Sequence, residues 1–264
     1  MHDQDLAADL KRLKLPGMAD NLDRRAREAE EAKLGYLEFA ALLVQDEVAS
    51  RDSNTFQKRL KMAGFATRMT FESFDFEFNS AAMQPPALRD LASCRFIDQR
   101  RNLVIAGPPG IGKSHIAQAL GHEAARRGLD VVFFKTHKLL ERLAPDRLSA
   151  RRSLVLMKRC LGAGLLILDD FAFRAYSQAE TELLYTIADE RLAEGSIIVT
   201  SNRPPEDWFS VFPDPIVGGA VMDRLVSGAV KLIVTSGRSY RKEGRSWQVP
   251  VERHLRCRQI LVLK

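Results

Sequence analysis

Residues 107–114 read Gly107-Pro108-Pro109-Gly110-Ile111-Gly112-Lys113-Ser114, and the four residues before them, Leu103-Val104-Ile105-Ala106, are all apolar. An apolar strand followed by a complete G-x-x-x-x-G-K-[ST] pattern commits this part of the chain to a strand-loop-helix unit that cradles phosphates. The glycines let successive backbone N–H groups turn inward on the anion, Lys113 reaches the outer phosphates as a point charge, and the Ser114 hydroxyl can take one position on Mg²⁺. The helix expected from Gly112 onward aims its positive end at the same anion. The eight residues of the loop together with His115 form the expected nucleotide-binding run.

A chain of 264 residues with 45% hydrophobic content can bury a full core, and its length suits one large α/β domain plus a small appendage. No run of 18 apolar residues occurs, and the start, Met1-His2-Asp3-Gln4-Asp5, is acidic where a secretory signal is basic and then apolar, so a cytoplasmic location without membrane association is expected. Cys94, Cys160 and Cys257 lie far apart with no C-x-x-C pair and read as reduced thiols. His2, His115, His122, His137 and His254 form no triad or ligand cluster with them, and nothing points to a nuclease or to the acidic triad of strand transfer.

The first 60 or so residues read as helices. Leu6, Leu10, Leu13 and Leu15 precede a break at Pro16-Gly17, and Tyr36, Leu37, Phe39, Ala40, Leu43, Val44 and Val48 recur near the 3.6 period. A further helical piece is expected from Thr55 through Met62, ending at Gly64, and Thr70 to Phe76 reads as an ordered linker with aromatic anchors. These features place a helical N-terminal domain over 1–68. Apolar runs at 102–106, 131–134, 165–168, 196–200 and 230–234 then alternate with helix-like stretches, the pattern of a mostly parallel five-stranded sheet with helices on both faces, here over 69–244.

The third run, Leu165-Leu166-Ile167-Leu168, ends in Asp169-Asp170, the form an acidic, Mg²⁺-supporting strand end takes in phosphate-loop ATPases. Asp169 is expected on the metal and Asp170 on the attacking water. The fourth run ends in Thr200-Ser201-Asn202 at the sheet edge where open α/β folds bind ligands, so Asn202, with Thr200 as the competing choice, is expected at the γ-phosphate or the lytic water.

Gly107 to Ser114, Leu-Asp-Asp-Phe at 168–171, Thr-Ser-Asn-Arg-Pro at 200–204, Trp208 followed by Val211-Phe212-Pro213-Asp214, Met-Asp-Arg-Leu at 222–225 and Ser-Tyr-Arg at 239–241 together resemble the IstB-type ATPase helpers of insertion-sequence transposition. Those proteins are relatives of DnaC-type helicase loaders within the AAA+ class. The resemblance implies an AAA+ ATPase using ATP and Mg²⁺, with sites at the interfaces of a homo-oligomer. It makes Arg224 the finger that reaches a neighbour's γ-phosphate and Arg241 a second phosphate-sensing residue, and it offers Phe74 to Phe76 for the adenine pocket, where plain packing is the alternative. Many AAA+ enzymes carry Asp-Glu at the positions of Asp169-Asp170; the shorter side chain implies slow turnover gated by assembly. The chain also departs from the usual glycine at Ala172 and the usual glutamate at Arg238.

The net charge is +6, and residues 236–264 hold eight Lys/Arg against two Asp/Glu while the rest of the chain balances. A second concentration, Lys135, Lys138, Arg142, Arg147, Arg151, Arg152, Lys158 and Arg159 against Glu141 and Asp146, falls between the second and third strands. Relatives carry an extra helical element used on DNA at that place. Such charges neutralise phosphates without reading bases. The basic tail, 245–264, suits either a DNA arm or a docking segment. The expected partners are duplex DNA and a transposase subunit of the IstA type, with ATP binding driving assembly and hydrolysis driving release. The alternatives are a DnaC-like helicase loader and a nucleotide-dependent scaffold without useful turnover.

Overall fold

The computed structural model describes residues 3–65, 67–80, 85–144 and 150–243. The chain divides into two compact units between Arg59 and Leu60. Arg147 and the basic tail 245–264 lie outside the described residues.

The first unit is helical: α1 (Asp3–Arg12), α2 (Pro16–Ala32) and most of α3 (Tyr36–Ala63). Its core is Leu10, Leu22 and Leu43, with Leu6, Leu15, Met18 and Phe39 packed around them. Pro16 opens α2, where a missing N–H costs nothing. Gly17 lies so close to α3 that a Cβ there would sit 2.6 Å from the Asp46 carbonyl. The approach lets buried Glu47 on α3 accept from the Gly17 N–H at 2.8 Å and the Met18 N–H at 3.3 Å, satisfying orphan donors of α2. The separate helical piece expected at 55–62 is the last part of α3, which runs unbroken for 28 residues.

The second unit is the α/β body. After α3 come a 3₁₀ turn at Phe71–Ser73, α4 (Pro85–Ala92), α5 (Arg95–Asp98), β1 (Leu103–Ala106) and α6 (Lys113–Arg126). Then follow β2 (Val131–Lys135), α7 (Thr136–Leu143), α8 (Ala150–Gly162), β3 (Leu165–Phe171) and α9 (Gln178–Glu190). The body ends with β4 (Ser196–Ser201), a 3₁₀ segment at Pro205–Val211, α10 (Pro215–Val226) and β5 (Val230–Ile233).

The strands form one parallel sheet in the order β2-β3-β4-β1-β5. Both faces are covered, so β1 and β4 are buried along their whole length; β1 reads as a continuous apolar run for that reason, whereas β4 is apolar only at Ile197, Ile198 and Val199 and buries Ser196, Thr200 and Ser201 at its ends. One face packs on α6, where Gly121 brings the helix so near that a Cβ would meet the Ile167 side chain at 2.9 Å. The other face joins Val104, Leu166, Leu168, Ile197 and Val199 to α7, α9, α10 and the fully buried Trp208.

Candidate nucleotide site

The loop after β1 takes the conformation its glycines permit. Gly107, Gly110 and Gly112 have φ of +154°, +85° and +105°, and side chains have no room at the first two. A Cβ at Gly107 would lie 2.5 Å from the Val234 carbonyl, and one at Gly110 would lie 2.1 Å from Ser239 Oγ. The chain after β5 therefore rests directly on the loop, and the Tyr240 N–H donates to the Gly110 carbonyl at 3.0 Å. That segment is fastened in turn by Asn79, whose amide donates to the Arg238 carbonyl and accepts from the Arg238 N–H, both at 2.8 Å. The Arg238 guanidinium covers the Phe78 ring at 4.9 Å and pairs with Glu243 at 3.3 Å, so this departure from the usual glutamate has its own partners.

Lys113 Nζ donates to the Gly107 and Pro108 carbonyls at 2.8 Å each, and burial pushes its pKa down to about 8. Ser114 Oγ donates to Asp169 Oδ1 at 2.7 Å. Thr200 Oγ1 donates to the same oxygen at 2.6 Å and accepts from the Asp170 N–H at 3.1 Å. Asp169 is buried, and its desolvation raises its pKa against the two hydroxyl donors. A hydroxyl and a carboxylate meeting at the loop are hard oxygen ligands of the kind Mg²⁺ takes, usually one or two from protein with phosphate and water completing the shell. Ser114 and Asp169 thus fit the metal that the loop implies.

Between Leu168 and Phe171 the register of β3 against β4 shifts, and Asp170 has φ +54°. Aspartate tolerates this left-handed backbone better than most residues. The bulge turns Asp170 into the cleft while Asp169 stays beneath it. Ala172 also has φ +56°, a geometry glycine adopts freely and alanine at a cost of ~1 kcal/mol. Tyr176 OH holds the turn by accepting the Ala172 N–H at 2.8 Å.

The cleft is lined by Met69, Pro109, Gly110, Gly112, Lys113, Ser114, His115, Lys135, Asp170, Asn202 and Arg241. Of the expected loop run, Pro109, Gly110, Gly112, Lys113, Ser114 and His115 line it together with Asp170, Asn202 and Arg241, whereas Gly107, Pro108 and the buried Ile111 do not. Thr200 does not line it; it is buried and braces the two aspartates from behind. His115 contributes its buried ring to the wall, with Nε2 2.8 Å from the Thr70 carbonyl, and burial lowers its pKa. Phe74 packs edge-on against His115 at 5.2 Å and against Phe76 at 5.1 Å, so these aromatics support the cleft without lining it. Met69, which lines it just before the Thr70 to Phe76 linker, has no signal in the sequence.

Two groups of expected residues lie elsewhere. Lys135 faces the cleft, 2.9 Å from Asp170 Oδ2, while the exposed Lys138, Arg142, Arg151, Arg152, Lys158 and Arg159 are on α7 and α8. Arg224 is at the other end of the sheet from the loop. Its carbonyl accepts from Asn102 Nδ2 at 2.9 Å, and Asn102 precedes β1 whereas the loop follows it. The Arg224 guanidinium is held by Asp189, by Tyr185 OH at 3.1 Å and by the Ala220 carbonyl at 3.1 Å.

This sheet order, with the Gly-Lys-Ser loop after β1 and an acidic end on β3 beside it, defines an ATP-binding protein of the AAA+ class. The model of the IstB-like ATP binding protein family matches residues 8–248, and the chain belongs to that family. It is 40% identical over 240 residues to an insertion-sequence ATP-binding protein of Mycobacterium tuberculosis, covering 89% of this chain and 93% of that one. It is 32% identical to the ATP-binding protein of insertion sequence IS21 from Pseudomonas aeruginosa, covering 89% and 88%. Among solved structures, the DnaC helicase loader shares the fold with a TM-score of 0.50 and 23% identity, over 67% of this chain and 99% of that one. The protein is an insertion-sequence ATP-binding helper. Among its described residues no helix is long and apolar enough to cross a membrane.

Proposed function

We propose that this protein is an ATP-dependent, duplex-DNA-binding oligomer that assists a transposase in choosing or preparing its target. ATP binding drives assembly on DNA, and slow hydrolysis releases it. The supporting observation is the separation of Arg224 from its own phosphate loop by the length of the sheet. A single subunit brings together Lys113, Ser114, Asp169, Asp170 and Asn202 but has no way to bring Arg224 to the same phosphate, so a head-to-tail neighbour is needed to complete the site. In this reading Lys113 and Ser114 hold phosphate and Mg²⁺, Asp169 supports the metal and Asp170 orients water. Asn202 and Arg241 sense the γ-phosphate, and Arg224 stabilises its developing charge in trans. The family supplies the transposition context. Electron microscopy of the protein with ATP on long duplex DNA tests the reading: ordered assemblies are expected, and a protein that stays a single subunit at micromolar concentration and low salt refutes it.

A further inference from the structure

Arg224 stands in the last turn of α10, where a cation suits the negative end of a helix, and Asp189 stands in the last turn of α9, where an anion opposes it. The arginine opposite offsets the unfavourable place of the aspartate. Asp189 Oδ1 accepts from Arg224 Nε at 2.5 Å, and Asp189 is the ion-pair partner of Arg224 among the described residues. Tyr185, one turn earlier on α9, sets its ring 4.6 Å from the guanidinium carbon and accepts from Nη2 at 3.1 Å through its hydroxyl. On α10 itself the Ala220 carbonyl accepts from Nη1 at 3.1 Å. The head of the side chain is thus clasped between two helices and only 22% exposed.

The backbone of the same residue is fixed as well. Asn102 Nδ2 donates to the Arg224 carbonyl at 2.9 Å and to the Leu225 carbonyl at 3.3 Å, closing two of the acceptors that a helix end leaves open. Asn102 Oδ1 accepts from the Ile197 N–H at 2.9 Å, so the end of α10 is tied to the entry of both β1 and β4.

These contacts use three of the five guanidinium N–H bonds and leave one on each terminal nitrogen without a partner among the described residues. One N–H from each terminal nitrogen makes the fork with which arginine grips a phosphate. A carboxylate that held the arginine back would take that fork, whereas Asp189 takes Nε and leaves it open. A cation fixed in advance loses little further side-chain freedom when a phosphate arrives, and donors fixed in advance act most strongly on developing charge.

Resting on the reading above in which Arg224 acts in trans, we propose that Asp189 and Tyr185 are its positioning residues, holding the guanidinium so that its terminal fork meets the γ-phosphate carried by the neighbouring subunit. Asn102 holds the backbone from which the side chain springs.

The test uses the full chain with ATP on duplex DNA, reading steady-state phosphate release in the assembled state, assembly by sedimentation, and ATP affinity of the free subunit by calorimetry. Asp189→Asn, which keeps the shape and drops the charge, is expected to lower kcat in the assembled state roughly ten- to a hundredfold, with KM for ATP and the affinity of the free subunit unchanged. Asp189→Glu, which keeps the carboxylate, should retain most of the rate. Tyr185→Phe, which keeps the ring and drops the hydroxyl, should lose about threefold. Added to Arg224→Ala, Asp189→Asn should cost nothing further, because the group it positions is gone. The Asp189→Asn subunit keeps its own loop, so mixing it with a Lys113→Ala protein, whose finger is intact, should restore part of its turnover. Unchanged turnover in Asp189→Asn overturns the proposal. Faster turnover or tighter assembly overturns it by showing that the carboxylate restrains the finger, and a loss that the Lys113→Ala partner does not relieve overturns it by placing the defect within the variant's own subunit. If Arg224→Ala itself hydrolyses ATP as the natural protein does, the trans reading falls instead.

Discussion

The Lys135 ammonium lies 2.9 Å from Asp170 Oδ2, and the pairing of β2 with β3 puts Lys135 beside Asp169 in the sheet. The cation placed by sequence in the basic stretch is thereby at the carboxylate proposed to orient water, and it occupies one of that carboxylate's two oxygens. The pair is half-exposed, and such pairs contribute little to stability, so its removal leaves the fold intact. Lys135→Met is expected to raise DNA-independent turnover about tenfold, which corresponds to ~1.4 kcal/mol of barrier. It should leave the salt dependence of DNA binding unchanged. Steady-state phosphate release gives the first number and the salt series the second; an unchanged turnover would show that Lys135 does not restrain Asp170.

Lys113 gives the site a pH dependence. Burial lowers its pKa to about 8, and a bound triphosphate raises it, because the charged form gains an anion in addition to the two carbonyls it donates to. Binding therefore takes up a proton above the lower value. The affinity for ATP is fully present below about pH 8 and falls as pH rises toward the pKa of the complex, by at most ~1.4 kcal/mol, or tenfold, per unit. Titration calorimetry between pH 7 and 10 measures the slope. Lys113→Arg, whose guanidinium stays charged, should flatten it, and an equal slope in that variant would assign the effect to another group.

Arg224→Ala is expected to leave ATP binding by the free subunit nearly unchanged and to lower hydrolysis in the assembled state by a factor on the order of 10³. The expectation follows from its place at the far end of the sheet. Mixing the variant with a Lys113→Ala protein, which keeps its finger but loses its loop, should recover part of the activity because each supplies what the other lacks. Equal loss of nucleotide binding and hydrolysis in Arg224→Ala would mean that the residue acts within its own subunit.

The parallel sheet is legible in the sequence because both its faces are covered, which makes the middle of each central strand apolar on both sides, while buried polar residues such as Thr200 and Ser201 at a strand end take hydrogen-bond partners. The loop and the two aspartates were legible because phosphate chemistry constrains residue type at fixed spacing. Lys135 was not, since only strand register shows whether a charge at the end of β2 faces a cleft or solvent. Asn79 and Arg238 are 159 residues apart, and no local pattern announces their clasp. Pro16-Gly17 was read as a break alone, whereas Gly17 also provides the close approach of α2 to α3, a tertiary demand that composition does not show.

Arg191 extends that lesson to stability. Arg191 caps the end of α9, Gln178–Glu190, and is buried, and burial pushes its pKa down to about 10. Its four acceptors are backbone carbonyls, and no carboxylate is among them. Arg191→Leu fills comparable space but strands those carbonyls in the interior, where each unsatisfied group costs ~1–3 kcal/mol. A loss of at least ~3 kcal/mol is expected, which lowers Tm by roughly 6–12 °C for a body of this size. Arg191→Lys, with three donors at one point, should fall between the two. Hydrogen exchange should rise first in the last turn of α8, whose carbonyls the guanidinium holds, and least in α6 on the opposite face of the sheet. Equal acceleration in both helices would show that Arg191 supports the body as a whole and does not fix α8 in particular.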